Sequence, residues 1–260
     1  MFKNRLFGIL FVAVSVFASD VVEQKSNGFI NWSEGVAVAK GMGFAKDSFN
    51  PLLTQRKAQQ AAKLDAMRNL LEIVGNVKLN ASTTIKDKMI ADETVKTSIN
   101  GLITNIVDVQ YTTLDKNSVE AQLKIKLDSQ LFPLSIPNDT KKMFEFKGTK
   151  GSGLIVDATT VDFIPTMNPK IIQEYEGVLY PDNVLQVDNI KGRFSVVYLN
   201  NLEDAKTHPL MGSYPLVVKA KSLVKGANDQ VVLDKKSALM VQQQLQQDAL
   251  ENGKVIIVIK

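Results

Sequence analysis

The sequence predicts an α+β protein: a small antiparallel sheet covered by a long helix, followed by a second β-rich domain with one C-terminal helix. A long helix is indicated by Leu52–Val74, which contains neither Pro nor Gly. A hairpin is indicated by Leu102–Leu127, because apolar and polar residues alternate on both sides of Asp115–Asn117. The second domain is indicated by short apolar runs separated by Pro and Gly.

The long helix has two different faces. At about 100° per residue, its bulky apolar residues gather on one side and its small residues on the other. The bulky side, which we expect to pack on the sheet, consists of Leu64, Met67, Leu70, Leu71 and Val74. The small side allows a second backbone to approach closely and predicts an interface with another subunit. This candidate interface consists of Ala58, Ala61, Ala62, Asp65 and Ala66.

Asp65 is unexpected on such a face, because a charge is disfavoured at a close helix contact unless it is paired. If the face is an interface, we expect Asp65 to pair with a Lys or Arg of another copy. If the face is exposed, Asp65 is an ordinary surface residue.

Composition excludes several function classes. The formal net charge is +4, and without residues 1–18, which hold Lys3 and Arg5 and no acid, 29 cationic and 27 anionic residues remain. This balance does not favour nucleic acid or phospholipid as a partner. The absence of Cys excludes disulfides, thiolate chemistry and a Cys-linked lipid, and His208 is the only histidine. The sequence therefore predicts no cofactor and no histidine-based metal site.

The beginning of the chain resembles an export signal. Residues 1–18 hold two cations, an apolar run and small residues at Val16 and Ala18, which predicts cleavage after Ala18. No later stretch is apolar enough to span a bilayer, so we expect a periplasmic protein. The predicted organisation is a signal peptide, a polar lead-in, a first domain, a linker rich in Pro, Gly and Lys, and a second domain, at residues 1–18, 19–35, 36–132, 133–152 and 153–260.

In the first domain, Ile30–Phe44 predicts a strand that Gly41 and Gly43 interrupt. A phosphate-binding loop is disfavoured there because the remaining motif residues are absent, and a close crossing with the long helix is favoured. After a short strand at Val77–Leu79, the spacing of Ser82–Asn100 predicts a second helix that Gly101 ends.

In the second domain, apolar runs predict strands and one pattern predicts a helix. The helix is Lys235–Glu251, capped by Asp234 and closed by Asn252–Gly253. Asn228–Asp229 is predicted to form a hairpin turn. The predicted strands are Leu154–Val156, Ile171–Tyr180, Val184–Val187, Arg193–Leu199, Leu216–Val224, Val231–Leu233 and Val255–Ile259.

Few residues suggest chemistry. Asp157, Asp162, Glu174 and Glu176 could be hydrolase carboxylates or calcium ligands, but carboxylates at turns and edges explain them better. Trp32, the only tryptophan, could hold a sugar or a partner, but a core position is favoured. These signals do not identify an active site.

The first domain resembles a known family. The motif joins the strand glycines Gly41 and Gly43, the alanine-rich helix with Asp65, then Gly75 and a hairpin. Over about residues 36–127 it resembles the small bacterial lipoprotein family that includes the "Lpp-twenty" antigen and the flagellar protein FlgP. The second domain is similar to a C-terminal module sometimes joined to that family, through Gly153, Asp157, Ala158, Pro165, Pro169 and Tyr180.

This resemblance implies a non-catalytic, outer-membrane-associated protein, and for the flagellar members a self-assembling ring or disc. The chain departs from the family because it lacks the acylated Cys. We therefore expect a periplasmic structural or assembly protein, whose partner is a second copy or another envelope or flagellar protein. The alternatives are a glycan- or peptidoglycan-binding module and, last, a carboxylate hydrolase.

Overall fold

The computed structural model describes residues 20–46, 49–127, 131, 144–182, 184–190 and 193–260. The predicted signal peptide and residues 133–143 of the predicted linker lie outside the described residues. In the part that is described, none of the helices combines the length and the apolar character that crossing a membrane requires. Residues 20–127 are called the first half below, and residues 144–260 the second half.

The first half contains an antiparallel sheet whose described strands follow the order β1-β2-β3-β7-β6, and a small β4–β5 pair. Its strands are β1 (Val22–Lys25), β2 (Gly28–Asn31), β3 (Val36–Phe44), β4 (Lys78–Asn80), β5 (Thr83–Thr84), β6 (Val109–Thr113) and β7 (Ser118–Lys126). The predicted Asp115–Asn117 turn is confirmed, because it joins β6 to β7. The prediction of a polar lead-in over residues 19–35 was wrong, because β1 and β2 lie there. Their polar residues belong to an edge hairpin, in which Ile30 is the buried anchor.

The helices of the first half are α1 (Pro51–Gly75), α2 (Ile85–Ala91) and α3 (Glu93–Thr104). The side chain of Asn50 caps α1 by accepting hydrogen bonds from the first backbone N–H groups, and Pro51 occupies the first turn. The single helix predicted over Ser82–Asn100 is divided, because Asp92 adopts an extended conformation and caps α3. Gly101 lies inside α3 rather than at its end.

The second half contains two four-stranded sheets, as counted over the described residues. One has the order β11-β15-β8-β12 and is parallel throughout, and the other has the mixed order β10-β9-β14-β13. The strands are β8 (Gly153–Asp157), β9 (Lys170–Gln173), β10 (Gly177–Tyr180), β11 (Val197–Leu199), β12 (Pro215–Lys219), β13 (Ser222–Val224), β14 (Ala227–Leu233) and β15 (Val255–Val258). Every residue of β8 and β15 is buried, which explains their continuous apolar sequences.

The helices of the second half are α4 (Leu202–Thr207), α5 (Lys235–Gln244) and α6 (Gln247–Glu251). The predicted C-terminal helix therefore exists but is interrupted, because Leu245 is extended and forms a bridge to Gly151. Asp234 caps α5 as predicted, accepting from the N–H of Ser237 at 2.7 Å.

Other predictions for the second half were wrong. Ile171–Tyr180 and Leu216–Val224 are each divided between two strands instead of forming one. Val184–Val187 forms no strand, and Val187 begins a 3₁₀ turn that buries Ile190. The hairpin turn lies at Lys225–Gly226 rather than at Asn228–Asp229, because Gly226 provides the positive φ of 81° that the turn requires. Asn228–Asp229 is instead part of β14.

The two halves share one hydrophobic core. Trp32 is 2% exposed and its ring packs against Phe194 and Tyr198, at centroid distances of 5.8 and 6.1 Å. The β4 strand also bonds to the second half, since the N–H of Met167 donates to the carbonyl of Lys78 at 2.9 Å. Trp32 is thus a core residue, as the favoured sequence interpretation predicts, and its ring does not face solvent.

Candidate functional site

The small face of α1 packs on the sheet of the same chain. Ala58, Ala62 and Ala66 are 0% exposed and belong to the common core. The prediction that these alanines contact another subunit was therefore wrong, and Ala61, at the margin of the face, is partly exposed. The physical reason is that small residues permit a close backbone approach but do not specify which chain approaches.

The partner of this face is the glycine pair of β3. A Cβ atom added to Gly41 would lie 2.6 Å from the carbonyl oxygen of Ala62, and one added to Gly43 would overlap the carbonyl oxygen of Ala58. Gly41 and Gly43 occupy alternate positions of β3, on the side of the strand that faces α1. The alanines of α1 that face them recur every four residues. The favoured interpretation of Gly41 and Gly43 as a close helix crossing is confirmed.

Asp65 fixes this crossing by hydrogen bonding. Its Oδ2 accepts from the backbone N–H of Met42 at 2.9 Å, and its Oδ1 pairs with Arg68 on the same helix. Asn69 donates from Nδ2 to the carbonyl of Lys40 at 2.7 Å. The pKa of Asp65 is held below its usual value, mainly by the Met42 N–H. The expectation of a Lys or Arg partner from another copy is replaced by partners within the chain.

The strand order explains why Met42 and Lys40 need these side chains. β2 pairs with β3 only over residues 36–39, so the following residues of β3 lose their ladder partner on that side. Lys40 N–H bonds to Asn27, and helix side chains satisfy the next two backbone groups. Asp65 and Asn69 therefore provide the hydrogen bonds that β2 would provide if it extended further along β3.

The bulky side of α1 is only partly covered. Leu70 and Val74 are buried as predicted, Met67 and Leu71 are partly buried, and Leu64 is 61% exposed. The sheet is thus covered mainly by the alanines and by the C-terminal turns of the helix. The prediction that the leucine side packs on the sheet was wrong for Leu64.

The suggested hydrolase carboxylates differ in their partners and in their exposure. Asp157 ends β8 in the parallel sheet, where its Oδ1 accepts from the hydroxyl of Thr159 at 2.6 Å. Glu174 follows β9 in the other sheet and forms an ion pair of 2.5 Å with Lys221. Asp162 and Glu176 are exposed.

The described residues contain no cluster of three or more His, Asp or Glu side chains that could hold a metal ion. His208 lies in a loop, where its Nδ1 accepts from the N–H of Leu210 at 3.2 Å. Burial lowers the pKa of His208. The imidazole acts there as a cap for the 3₁₀ turn at Pro209–Met211.

A buried carboxylate between the halves was missed at the sequence level. Asp229 is 1% exposed, and its Oδ2 accepts from the N–H of Ala81 at 2.9 Å and from the hydroxyl of Thr166 at 3.3 Å. Its Oδ1 has no hydrogen-bond partner among the described residues. Burial raises the pKa of this carboxyl above its usual value. Sequence patterns place Asp in turns, so only the fold identifies this position.

The edges of the sheets differ in their protection against pairing with another chain. Long, uncharged edges invite such pairing, whereas charge, Pro and short length prevent it. Among the described edge strands, β1 carries Glu23 and Lys25, β12 begins with Pro215 and ends with Lys219, and β10, β11 and β13 have four residues or fewer. β6 has five residues, VQYTT, without charge, Pro or Gly, and four of them are exposed.

The open side of β6 presents three residues. Leu114 and Asp115 both donate to the carbonyl of Ser118, and backbone groups in an antiparallel strand alternate in direction. Gln110 and Thr112 consequently bond to β7, and the N–H and C=O groups of Val109, Tyr111 and Thr113 point away from the sheet.

The second half is similar to a known family. Residues 153–260 match the family described as Treponema pallidum Tp0624, second domain. The match begins at the first residue of β8 and covers less than half of the 260 residues. A comparison with curated proteins finds no match.

Replacing Gly43 by Ala is expected to destabilise the protein by about 1–3 kcal/mol, because the added methyl group must separate β3 from α1. Urea unfolding followed by circular dichroism measures the change. Gly101→Ala is the control, since a Cβ there meets nothing within 4 Å, and it should stabilise α3 by about 0.5–1 kcal/mol. Equal effects of the two substitutions would contradict the close crossing.

Asp65→Ala is expected to cost about 1 kcal/mol, since the N–H of Met42, an exposed residue, exchanges a charged acceptor for water. The pKa of Asp65 is lowered in the folded state, so its contribution is present above the usual Asp pKa and disappears as pH falls through the folded pKa. Glu72→Ala, an exposed position on the same helix, should change the free energy of unfolding little. Equal values for Asp65→Ala and Glu72→Ala in urea titrations would exclude the anchoring role.

Asp229→Asn is expected to change how stability depends on pH. Because the pKa of Asp229 is raised by folding, the unfolded chain releases this proton first, and wild-type stability falls as pH rises from the usual Asp pKa to the folded pKa. Between these two pH values, the free energy of unfolding of Asp229→Asn should rise relative to that of wild type, by at most about 1.4 kcal/mol per pH unit.

Asp87→Asn provides a control of opposite sign for this measurement. The N–H of Thr84 lowers the pKa of Asp87, so the wild-type advantage over this variant should disappear as pH falls. Parallel pH profiles for the two variants would refute the assignment at Asp229.

Proposed function

We propose that this chain is a non-catalytic structural protein of the cell envelope that assembles by pairing its β6 edge with the β6 edge of a second copy. The single observation that carries the proposal is the uncharged, exposed strand Val109–Thr113 at the end of the first-half sheet. Such an edge offers backbone donors and acceptors to another strand.

An antiparallel pair centred on Tyr111 uses this edge fully. In that register Tyr111 lies opposite its own copy, and Val109 lies opposite Thr113 of the copy. All three outward residues of each strand then face an outward residue, so that each can exchange two backbone hydrogen bonds with its partner. A shift of the centre to Gln110 would leave Thr113 unmatched.

The side chains suit the same register. Val109, Tyr111 and Thr113 project to the side covered by α1, whereas Gln110 and Thr112 project to the other side. The register brings two tyrosine rings together at the centre and sets Gln110 beside Thr112 of the copy. No pair of like charges is created, because the strand has no charged residue.

The cellular setting of the proposal follows from the N-terminal sequence. Export by a signal cleaved after Ala18 would deliver the protein to the periplasm, and the absence of Cys means that attachment to the outer membrane would require a protein partner. Asp157 and Glu174 are each held by a neighbouring side chain, Thr159 and Lys221, and this engagement favours a structural role over a hydrolase.

Analytical ultracentrifugation of residues 19–260 tests the pairing. Wild-type protein is expected to show a monomer–dimer equilibrium, and Tyr111→Pro is expected to shift it to monomer. Proline removes an N–H that points away from β7, so the internal ladder remains intact. Gln24→Pro is the matched control on the opposite edge, because Val21 bonds to Trp32 and the N–H of Gln24 therefore also points outward.

A charge exchange tests the register. Tyr111→Lys and Tyr111→Glu should each weaken the dimer by about 1 kcal/mol, roughly fivefold in Kd, because like charges meet at the two-fold axis. An equimolar mixture of the two variants should recover association. A wild-type protein that remains monomeric at every concentration, or a dimer weakened equally by Gln24→Pro, would contradict the proposal.

A further inference from the structure

A groove with both polar and apolar lining residues lies in the second half, at the amino-terminal ends of β8 and β12. It has a volume of about 530 Å³ and lies between the loop at residues 149–151, the start of β12 and the end of α5. This volume falls within the roughly 300–1,000 Å³ typical of ligand pockets. Its lining residues are Thr149, Lys150, Gly151, Tyr214, Pro215, Leu216, Gln243 and Gln244.

Backbone hydrogen bonds hold the walls of the groove in place. The N–H of Gly151 donates to the carbonyl of Gln244 at 2.9 Å, and the N–H of Gln246 donates to the carbonyl of Gly151 at 3.0 Å. Two hydrogen bonds join Ser152 and Tyr214. The N–H of Ser152 donates to the carbonyl of Tyr214 at 3.0 Å, and the N–H of Tyr214 donates to the hydroxyl of Ser152 at 2.9 Å. The backbone of the chain therefore fixes the position of the walls.

The polar side chains of the groove are not used by the fold. Neighbouring glutamines have internal roles: Gln242 bonds to Gln173 at 2.6 Å, and Gln246 bonds to the carbonyl of Thr149 at 2.7 Å. In contrast, the side chains of Lys150, Gln243 and Gln244 form no hydrogen bond or ion pair with the part of the chain that the structure describes. Tyr214 is 72% exposed and also lines the groove.

This set of groups matches the chemistry of a substituted sugar. Amide side chains donate and accept, as hydroxyl and acetamido groups do. A tyrosine ring combines an apolar face, suited to the C–H face of a pyranose, with a polar hydroxyl. Lys150 adds one cation and no lining residue is acidic, so a carboxylate on the ligand would be favoured.

We propose that the groove binds a short glycan carrying acetamido and carboxylate groups. Tyr214 stacks on a sugar ring, Gln243 and Gln244 bond to hydroxyl and acetamido groups, and Lys150 pairs with the carboxylate. The site is separate from the β6 edge, so neither assembly nor its failure affects this assignment.

Nuclear magnetic resonance of ¹⁵N-labelled residues 19–260 tests the site with three disaccharides. N-acetylglucosaminyl-N-acetylmuramic acid has both groups, di-N-acetylchitobiose lacks the carboxylate, and cellobiose lacks both. We expect saturable shifts confined to the amides around Gly151, Tyr214 and Gln244, with affinity falling in that order of probes. Absence of saturable shifts up to the low millimolar range, or shifts located elsewhere, would overturn the proposal.

Variants assign the contacts. Tyr214→Ala and Gln244→Ala should each weaken binding of the acidic disaccharide at least tenfold. Lys150→Ala should remove the preference for the acidic disaccharide over di-N-acetylchitobiose without abolishing binding of either. Tyr175→Ala, at an aromatic residue that is 98% exposed and does not line the groove, should bind like wild type. Thermal unfolding verifies that each variant is folded, and wild-type affinity in a folded Tyr214→Ala protein would refute the site.

Discussion

The first half depends on direct contact between the backbones of a strand and a helix. Gly41 and Gly43 leave no side chain between β3 and α1, and Ala58, Ala62 and Ala66 bring the helix to the same closeness from the other side. Large side chains at these positions would hold the two elements apart, as they do in most helix–sheet packing. Because the gap is filled by backbone and methyl groups, dispersion contacts and the Asp65 and Asn69 hydrogen bonds define the relative position of the elements.

The same contact determines which surfaces remain for other molecules. With its small face covered, α1 offers polar residues and the leucines Leu52, Leu53 and Leu64 to solvent. The edge strand β6 is separated from β3 by β7, so the contact between β3 and α1 leaves it open. The second half contacts the first through Trp32 and through the hydrogen bond from Ala81 to Asp229, so neither the β6 edge nor the groove at Tyr214 is used to hold the halves together.

The sequence predicted local elements better than their contacts. The Leu52–Val74 helix, the Asp115–Asn117 turn and the Asp234 cap depend on neighbouring residues and were recognisable. The sequence did not predict that the alanine face packs on the sheet of the same chain, although Gly41 and Gly43 indicated a close crossing with the helix. The β6 edge requires the strand order, and the groove joins residues near 150, 214 and 244 that no pattern connects. Asp229 was placed in a turn because sequence statistics do not register burial between distant segments.

The position of β15 has a consequence for the order in which the second half can be built. This strand lies between β11 and β8 in the parallel sheet, yet it follows every other described strand along the chain. A chain emerging from its amino end would therefore have β8 and β12 available while the space beside β8 is still vacant. The apolar flank of β8 stays unpaired until residues 255–258 are available. During that time a wrong strand can insert beside β8, or a chaperone can bind it.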